Sequence, residues 1–247
     1  GESVTTFGGV PYTYEMLNKL RFERMKLPSL KYITQAGGRL SPDQVSKMAE
    51  LAGQWGIRFL VMYGQTEATA RISYLPYDKV RTSPSSIGIP IPGGELSIVG
   101  PEGQSVFEVY EKGELVYSGP NVMMGYASKI DDLAMASEGN VLKTGDIGYF
   151  DDDGLFYISG RKSRFIKVYG VRLDLDDLEQ QLIACGYDVI CTGTDNNLKV
   201  VTESSGLYDD IKSFLTSKFG LKEHCIEVKV ISTIPRSTSG KINYDAL

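Results

Sequence analysis

Histidine is almost missing from this chain: one residue in 247, His224. That narrows the catalysis open to it. Ser-His-Asp chemistry would have to run through His224, and no G-x-S-x-G elbow accompanies it. Cysteine is scarce too, with Cys185, Cys191 and Cys225 and no C-x-x-C pair. A zinc site needs four closely spaced ligands, so the three read as unpaired thiols of a reducing compartment, the cytoplasm. A basic excess is lacking as well. Lys and Arg number 26 against 31 Asp and Glu, for a net charge of −5. Such a chain does not neutralise a phosphate backbone, so nucleic acid is not an expected partner. Long apolar runs are also missing. The run Phe59-Leu60-Val61-Met62-Tyr63 falls far short of the ~20 residues of a membrane helix, and no span is expected. The opening residues Gly1-Glu2-Ser3-Val4 do not read as a signal peptide.

What is present is an ordinary globular composition, 42 % apolar and 23 % charged, which excludes a disordered or collagen-like chain. The length suits more than one domain at ~150 residues each. Residues 1–80 read as a layered α/β unit. Tyr14 to Arg24 has helical spacing, and Leu30 to Ile33 reads as a buried strand. Ser41 suits a helix N-cap, Pro42 the first helical position and Gly56 the end of that helix. Arg58 to Tyr63 is the next strand. Residues 81–160 lose helical periodicity. Short alternating runs at 95–99, 113–117 and 155–159, with a turn at Asp151-Asp152-Asp153-Gly154, predict a small β-barrel or sheet. Residues 161–163 are the expected boundary. Residues 164–247 read as a compact α+β unit with helices at 174–184 and 207–219 and a hairpin about 195–197.

Three segments carry chemistry. Tyr63-Gly64-Gln65-Thr66-Glu67 follows a strand end, where open α/β sheets bind ligands. Tyr63 offers a flat face for a base, Thr66 a hydroxyl for a phosphate oxygen and Glu67 a hard oxygen ligand for Mg²⁺. The plain alternative is a strand-to-loop turn with a solvated glutamate. Thr144-Gly145-Asp146, followed by Gly160-Arg161, offers a carboxylate with two acceptors for a ribose diol; the alternative is an Asp–Arg ion pair. The third segment runs from Pro235 to Gly240-Lys241. It is not a P-loop, because Pro235 stands where the first glycine belongs and Ile242 follows the lysine. A lysine in such a loop can still reach a phosphate as a point charge, or the segment is simply an exposed terminal loop.

Taken together and in order, these segments resemble the C-terminal half of the adenylate-forming superfamily: acyl- and aryl-CoA synthetases, adenylation domains of peptide synthetases, and luciferases. Gly37-Gly38 and the run from Gly113-Glu114-Leu115 through Gly125-Tyr126 complete the five motifs. The resemblance runs from about residue 35 to the end. It implies that Gly37, Gly38 and Arg39 lie along adenine and that Tyr63 stacks on it, with Gly64 and Gln65 in the same nucleotide-binding segment. Thr66 would contact phosphate, and Glu67 would hold Mg²⁺. Asp146 and Arg161 would hold the ribose, with Ile158 an apolar neighbour. Lys241 would contact carboxylate and phosphate oxygens during adenylation. Residues 164–247 would be a mobile lid whose Tyr169 and Gly170 line a thiol channel.

The implied activity is that of an ATP-dependent, AMP-forming ligase joining a small carboxylate to coenzyme A. Alternatives are an adenylation domain that loads a carrier protein, and a non-catalytic AMP-binding or interaction module. Phe7-Gly8-Gly9-Val10-Pro11-Tyr12 is more similar to the CoA synthetase branch. Two departures stand out. The family's hinge residue, usually Asp or Lys, is Ser163 here, beside Lys162. The family's Ser/Thr/Gly-rich loop for the β- and γ-phosphates is absent from these 247 residues. The chain therefore reads as a truncated enzyme, inactive alone, with the missing N-terminal region as an expected partner and an uncovered sheet that a partner surface, self-association or swapped pairing would cover.

Overall fold

The computed structural model describes residues 3–135, 139–162, 164–237 and 242–247. It is a mixed α/β structure that divides into two compact units, Gly1–Ile158 and Ser159–Leu247. No helix among the described residues is long and apolar enough to cross a membrane.

The first unit begins with strand β1 (Thr6–Gly9) and helix α1 (Pro11–Lys19). The helix starts earlier and stops sooner than its spacing predicts. Pro11 presets the first turn, and Arg21 turns left-handed at φ +54 to begin a separate 3₁₀ turn, Phe22–Arg24. That break seats Phe22 edge-on against Trp55, 5.1 Å between ring centres. Strand β2 (Tyr32–Gln35) follows. Helix α2 (Pro42–Trp55) has the expected ends: the Ser41 hydroxyl accepts the Gln44 N–H at 3.3 Å, and Gly56 closes it at φ +67. Strands β3 (Arg58–Tyr63), β4 (Ser73–Leu75) and β5 (Ile89–Pro90) complete a five-stranded sheet in simple sequence order. Its first three strands are parallel and its last two antiparallel. Val45, Met48 and Ala52 of α2 pack on Ile33, Phe59 and Val61 of the sheet.

The second sheet is antiparallel, built from β6 (Glu95–Val99), β7 (Ser105–Val106), β8 (Gly113–Ser118), β9 (Val141–Phe150) and β10 (Phe156–Arg161). Its order is β10-β9-β8-β6-β7. The barrel-like form expected for residues 81–160 is corrected: this is an open sheet. Closure needs the two edge strands to pair with each other. Here β7 has only two residues, and the β10 edge is already engaged at Phe156 by a bridge to Gly88. The Phe156 N–H donates to the Gly88 carbonyl, and the Ile87 N–H to the Phe156 carbonyl, both at 2.9 Å. The two sheets thus meet along one seam, and the loop after β3 sends Ala68 and Ile72 into the core of the second, against Leu96, Ile98, Leu115 and Tyr117.

The second unit carries the hairpin β11 (Phe165–Val168) and β12 (Val171–Asp174), helix α3 (Leu175–Ala184), the hairpin β13 (Val189–Thr194) and β14 (Asn197–Thr202), helix α4 (Tyr208–Phe219) and strand β15 (Ile226–Val230), which lies parallel to β14. Asp174 caps α3 by accepting the N–H groups of Asp176 and Asp177. Leu178, Leu182, Ile211 and Leu215 close its core over Cys191, Leu198 and Val200.

The seam depends on Gly88. It sits at φ +79, and a β-carbon there would lie 1.9 Å from the Tyr74 carbonyl oxygen. Gly88→Ala is expected to cost about 2–4 kcal/mol. The check is the midpoint of urea unfolding; an unchanged midpoint would show that the seam yields freely.

Candidate functional site

The end of β3 and the middle of β9 converge on one buried carboxylate. Asp146 is 2 % exposed. The Tyr63 hydroxyl donates to its Oδ2 at 2.6 Å, and Gln65 Nε2 donates to the same oxygen at 3.1 Å. Gln65 Nε2 also reaches the Thr144 carbonyl at 2.8 Å. Thr144 is itself buried: its hydroxyl donates to the Leu115 carbonyl at 2.7 Å and accepts the Asp146 N–H at 3.1 Å. Gly64 lets the loop that follows fold back on the end of β3, because a β-carbon there would stand 2.3 Å from the Ala70 carbonyl oxygen.

Thr66 and Glu67 occupy the 3₁₀ turn Thr66–Ala68 that follows. Thr66 is exposed and Glu67 half-buried. The turn is fastened to the loop after β8. The Met123 N–H donates to the Glu67 carbonyl at 2.8 Å, and Asn121 Nδ2 to the Ala68 and Arg71 carbonyls at 2.7 and 2.8 Å. The Tyr126 hydroxyl donates to the Glu67 carboxylate, and this bond raises the tyrosine's pKa above its ordinary value. Glu67 fits a Mg²⁺ ion of the kind held by one carboxylate, water and substrate phosphate. A cage made only of protein groups is a different matter: no group of three or more His, Cys, Asp or Glu able to hold a metal occurs among the described residues.

Gly37 and Gly38 form the exposed turn after β2. It is shaped by buried Gln35, whose Nε2 donates to the Gly38 carbonyl at 2.6 Å. Arg39 is exposed, and its charge opposes the burial that raises the pKa of Tyr149. Tyr149 stacks on Tyr157 with ring centres 5.1 Å apart. Ile158 is half-buried in β10, where the first unit ends.

In the second unit, Arg161 ends β10 and is exposed. Tyr169 and Gly170 form the tip of the β11–β12 hairpin at φ +48 and +85. The Tyr169 N–H donates to the Asn196 side-chain oxygen at 2.8 Å, and its hydroxyl lies 2.8 Å from His224 Nε2. Lys241 and Ser163 lie outside the described residues.

A family model described as AMP-binding enzyme matches residues 1–127, just over half of the 247. The chain belongs to the AMP-binding enzyme family. Among the chain's relatives is a long-chain-fatty-acid–CoA ligase of Bacillus subtilis, 27 % identical over 88 % of this chain and 37 % of the relative. Another is an oxalate–CoA ligase of Arabidopsis thaliana, 26 % identical over 97 % of this chain and 48 % of the relative. The chain therefore spans between a third and a half of these relatives. The solved structure of o-succinylbenzoate CoA synthetase from Bacillus subtilis, in complex with its acyl-adenylate intermediate, has the same fold. The TM-score is 0.73 at 23 % identity, covering 98 % of this chain and 50 % of that one. The resemblance to adenylate-forming enzymes is thus borne out at the level of family and fold.

Three groups escaped sequence reasoning. Thr144 was read only as part of a motif, not as the support of Asp146. His224 carries no local signal toward Tyr169, 55 residues away. A half-buried ionic cluster around Arg164 joins residues up to 80 positions apart.

Two tyrosines report burial directly. Burial pushes Tyr157 and Tyr244 up to about 12. Between the ordinary tyrosine value of about 10 and about 12, the folded chain holds these protons while the unfolded chain releases them. Stability should therefore fall as pH rises through that window. Ultraviolet difference titration should show a late ionisation step that shrinks in Tyr157→Phe and in Tyr244→Phe. A single step near pH 10 would contradict the burial.

Proposed function

We propose that the complete protein activates a small carboxylate with ATP, releasing pyrophosphate, and transfers the acyl group from the adenylate to coenzyme A. The observation that supports this best is the convergence of Tyr63, Gln65 and Thr144 on buried Asp146, in a chain of the AMP-binding enzyme family. A carboxylate held by donors on one oxygen is oriented before any ligand arrives, and an oriented acceptor suits a vicinal diol. Arg161 is the second ribose contact in this reading, and Ile158 packs beside the nucleotide. The Tyr63 ring flanks the adenine, with Gly37, Gly38 and Arg39 along its edge.

The chemistry asks little of proton transfer. The attacking carboxylate is already ionised, so no general base is needed, and a chain with one histidine is sufficient. The carboxylate oxygen forms a bond to the α-phosphorus as the bond to the β-phosphate breaks. Thr66 and Lys241 meet the charge on the phosphate and carboxylate oxygens. Glu67 would hold Mg²⁺, which supplies further neutralisation when bound with the nucleotide.

The first sheet is, in this reading, part of a larger acyl- and nucleotide-binding α/β subdomain, and the rest of it belongs to the half of the relatives that this chain does not span. Residues 161–163 act as a hinge. Residues 164–247 form a lid that offers Lys241 in one half-reaction and Tyr169-Gly170 to the thiol in the other. The relatives' names favour coenzyme A over a carrier protein as acceptor. A cytoplasmic location agrees with Cys185, Cys191 and Cys225, all free thiols.

Lys241→Ala in the complete protein should lower acyl-adenylate formation by ~3–4 kcal/mol, the scale of one lost donor to a developing charge. The assay is carboxylate-dependent exchange of labelled pyrophosphate into ATP, followed by thioester formation with coenzyme A and, separately, with a phosphopantetheinyl carrier. Adenylation at the wild-type rate would remove Lys241 from the mechanism. Acylation of the carrier but not of coenzyme A would overturn the assigned acceptor.

A further inference from the structure

Arg164 stands just before β11, on the lid side of the hinge proposed above. Its side chain is 16 % exposed, and its guanidinium gathers three separate pieces of the second unit. Nη1 pairs with the Asp176 carboxylate at the start of α3. Nη2 donates to Glu179 Oε1, one turn along, and to the Cys191 carbonyl in β13, both at 2.7 Å. Glu179 Oε1 also accepts the Cys191 N–H at 2.7 Å. The third piece is the C-terminal tail. The Tyr244 hydroxyl accepts from Nη1 at 3.0 Å, and the Tyr244 ring lies 4.1 Å from the guanidinium carbon.

Tyr244 comes three residues after Lys241. Arg236 and Ile242 pair in an antiparallel bridge, and the Asn243 N–H donates to the Pro235 carbonyl at 2.9 Å. Beyond Tyr244, Lys199 Nζ donates to the Leu247 carbonyl at 3.3 Å. The tail is thus fastened on both sides of Tyr244, and Arg164 is the charged group at its centre. Buried ion pairs are weak net stabilisers, because desolvation offsets the attraction. What the guanidinium fork supplies is a fixed geometry that a flexible ammonium does not reproduce.

We propose that Arg164 is a positioning residue for Lys241, acting through Tyr244 to hold the tail in register with the lid. This rests on, and deepens, the reading of Lys241 as the adenylation lysine. A misplacement of about 1 Å at a reacting group can cost as much as a hundredfold in rate. The two half-reactions separate positioning from bulk stability, because only one of them uses Lys241.

The experiment uses the complete protein with Arg164→Lys, Tyr244→Phe and Lys241→Ala. Each is assayed for pyrophosphate exchange and, with acyl-adenylate supplied, for thioester formation. Arg164→Lys should slow adenylation by about tenfold or more, with thioester formation within about threefold of wild type. Tyr244→Phe, which keeps the ring over the guanidinium, should give a smaller loss in adenylation alone. Equal slowing of both half-reactions by Arg164→Lys, or none, would overturn the inference while Lys241→Ala still selectively blocks adenylation. If Lys241→Ala spares adenylation, the functional reading fails and this inference fails with it. Should Arg164→Lys not fold, Tyr244→Phe decides: a selective loss of adenylation supports the proposal, and wild-type rates in both halves overturn it.

Discussion

The hydrogen bond from the Tyr63 hydroxyl to the Asp146 carboxylate is the contact on which the first unit's arrangement turns. It joins the end of a parallel strand in one sheet to the middle of an antiparallel strand in the other. A carboxylate that is 2 % exposed is costly to bury unless its oxygens are satisfied. Tyr63 and Gln65 meet that demand from one side, and Thr144 fixes the backbone from the other. The donors leave β3 within three residues, so the turn that carries Thr66 and Glu67 follows directly from the same constraint. Gly64 allows the chain to fold back on Ala70, and Gly88 allows the two sheets to touch at Phe156. Both the seam and the site therefore rest on close backbone approaches that a side chain would prevent.

Much of this was legible in the residues themselves. Ser41, Pro42 and Gly56 mark α2 because each satisfies or relieves a helix end. Alternation over Glu95–Val99 and Gly113–Ser118 marks two strands with one face inward. Asp174 announces α3, and the tight turns at 151–154 and 195–197 announce hairpins. Strands β1, β4, β5 and β7 were not legible. They have two to four residues, too few for a period to register, and they form because neighbouring strands offer edges. The open form of the second sheet was hidden for a similar reason. It depends on a Gly88–Phe156 bridge between residues 68 positions apart.

Among the site residues, Tyr63, Gln65 and Asp146 were found as motif members, and the structure brings them into hydrogen-bond contact. The use of the Tyr63 hydroxyl as a donor to Asp146 was not foreseen, since a motif names residue types and not which atoms meet. Arg164 shows the same limit more sharply. An arginine next to a strand reads as a solvated charge, yet here it is enclosed by Asp176, Glu179, Cys191 and Tyr244. Its partners lie 12 to 80 residues away in the chain, and only folding assembles them.

The central claim is that buried Asp146 receives the ribose diol of an adenine nucleotide. Calorimetric titration of the complete protein with AMP and with its 2′,3′-dideoxy analogue tests this directly. The account predicts that AMP binds about tenfold or more tightly, the scale of hydrogen bonds to a charged acceptor, and that Asp146→Asn removes most of the difference. Equal affinity for the two ligands would contradict it.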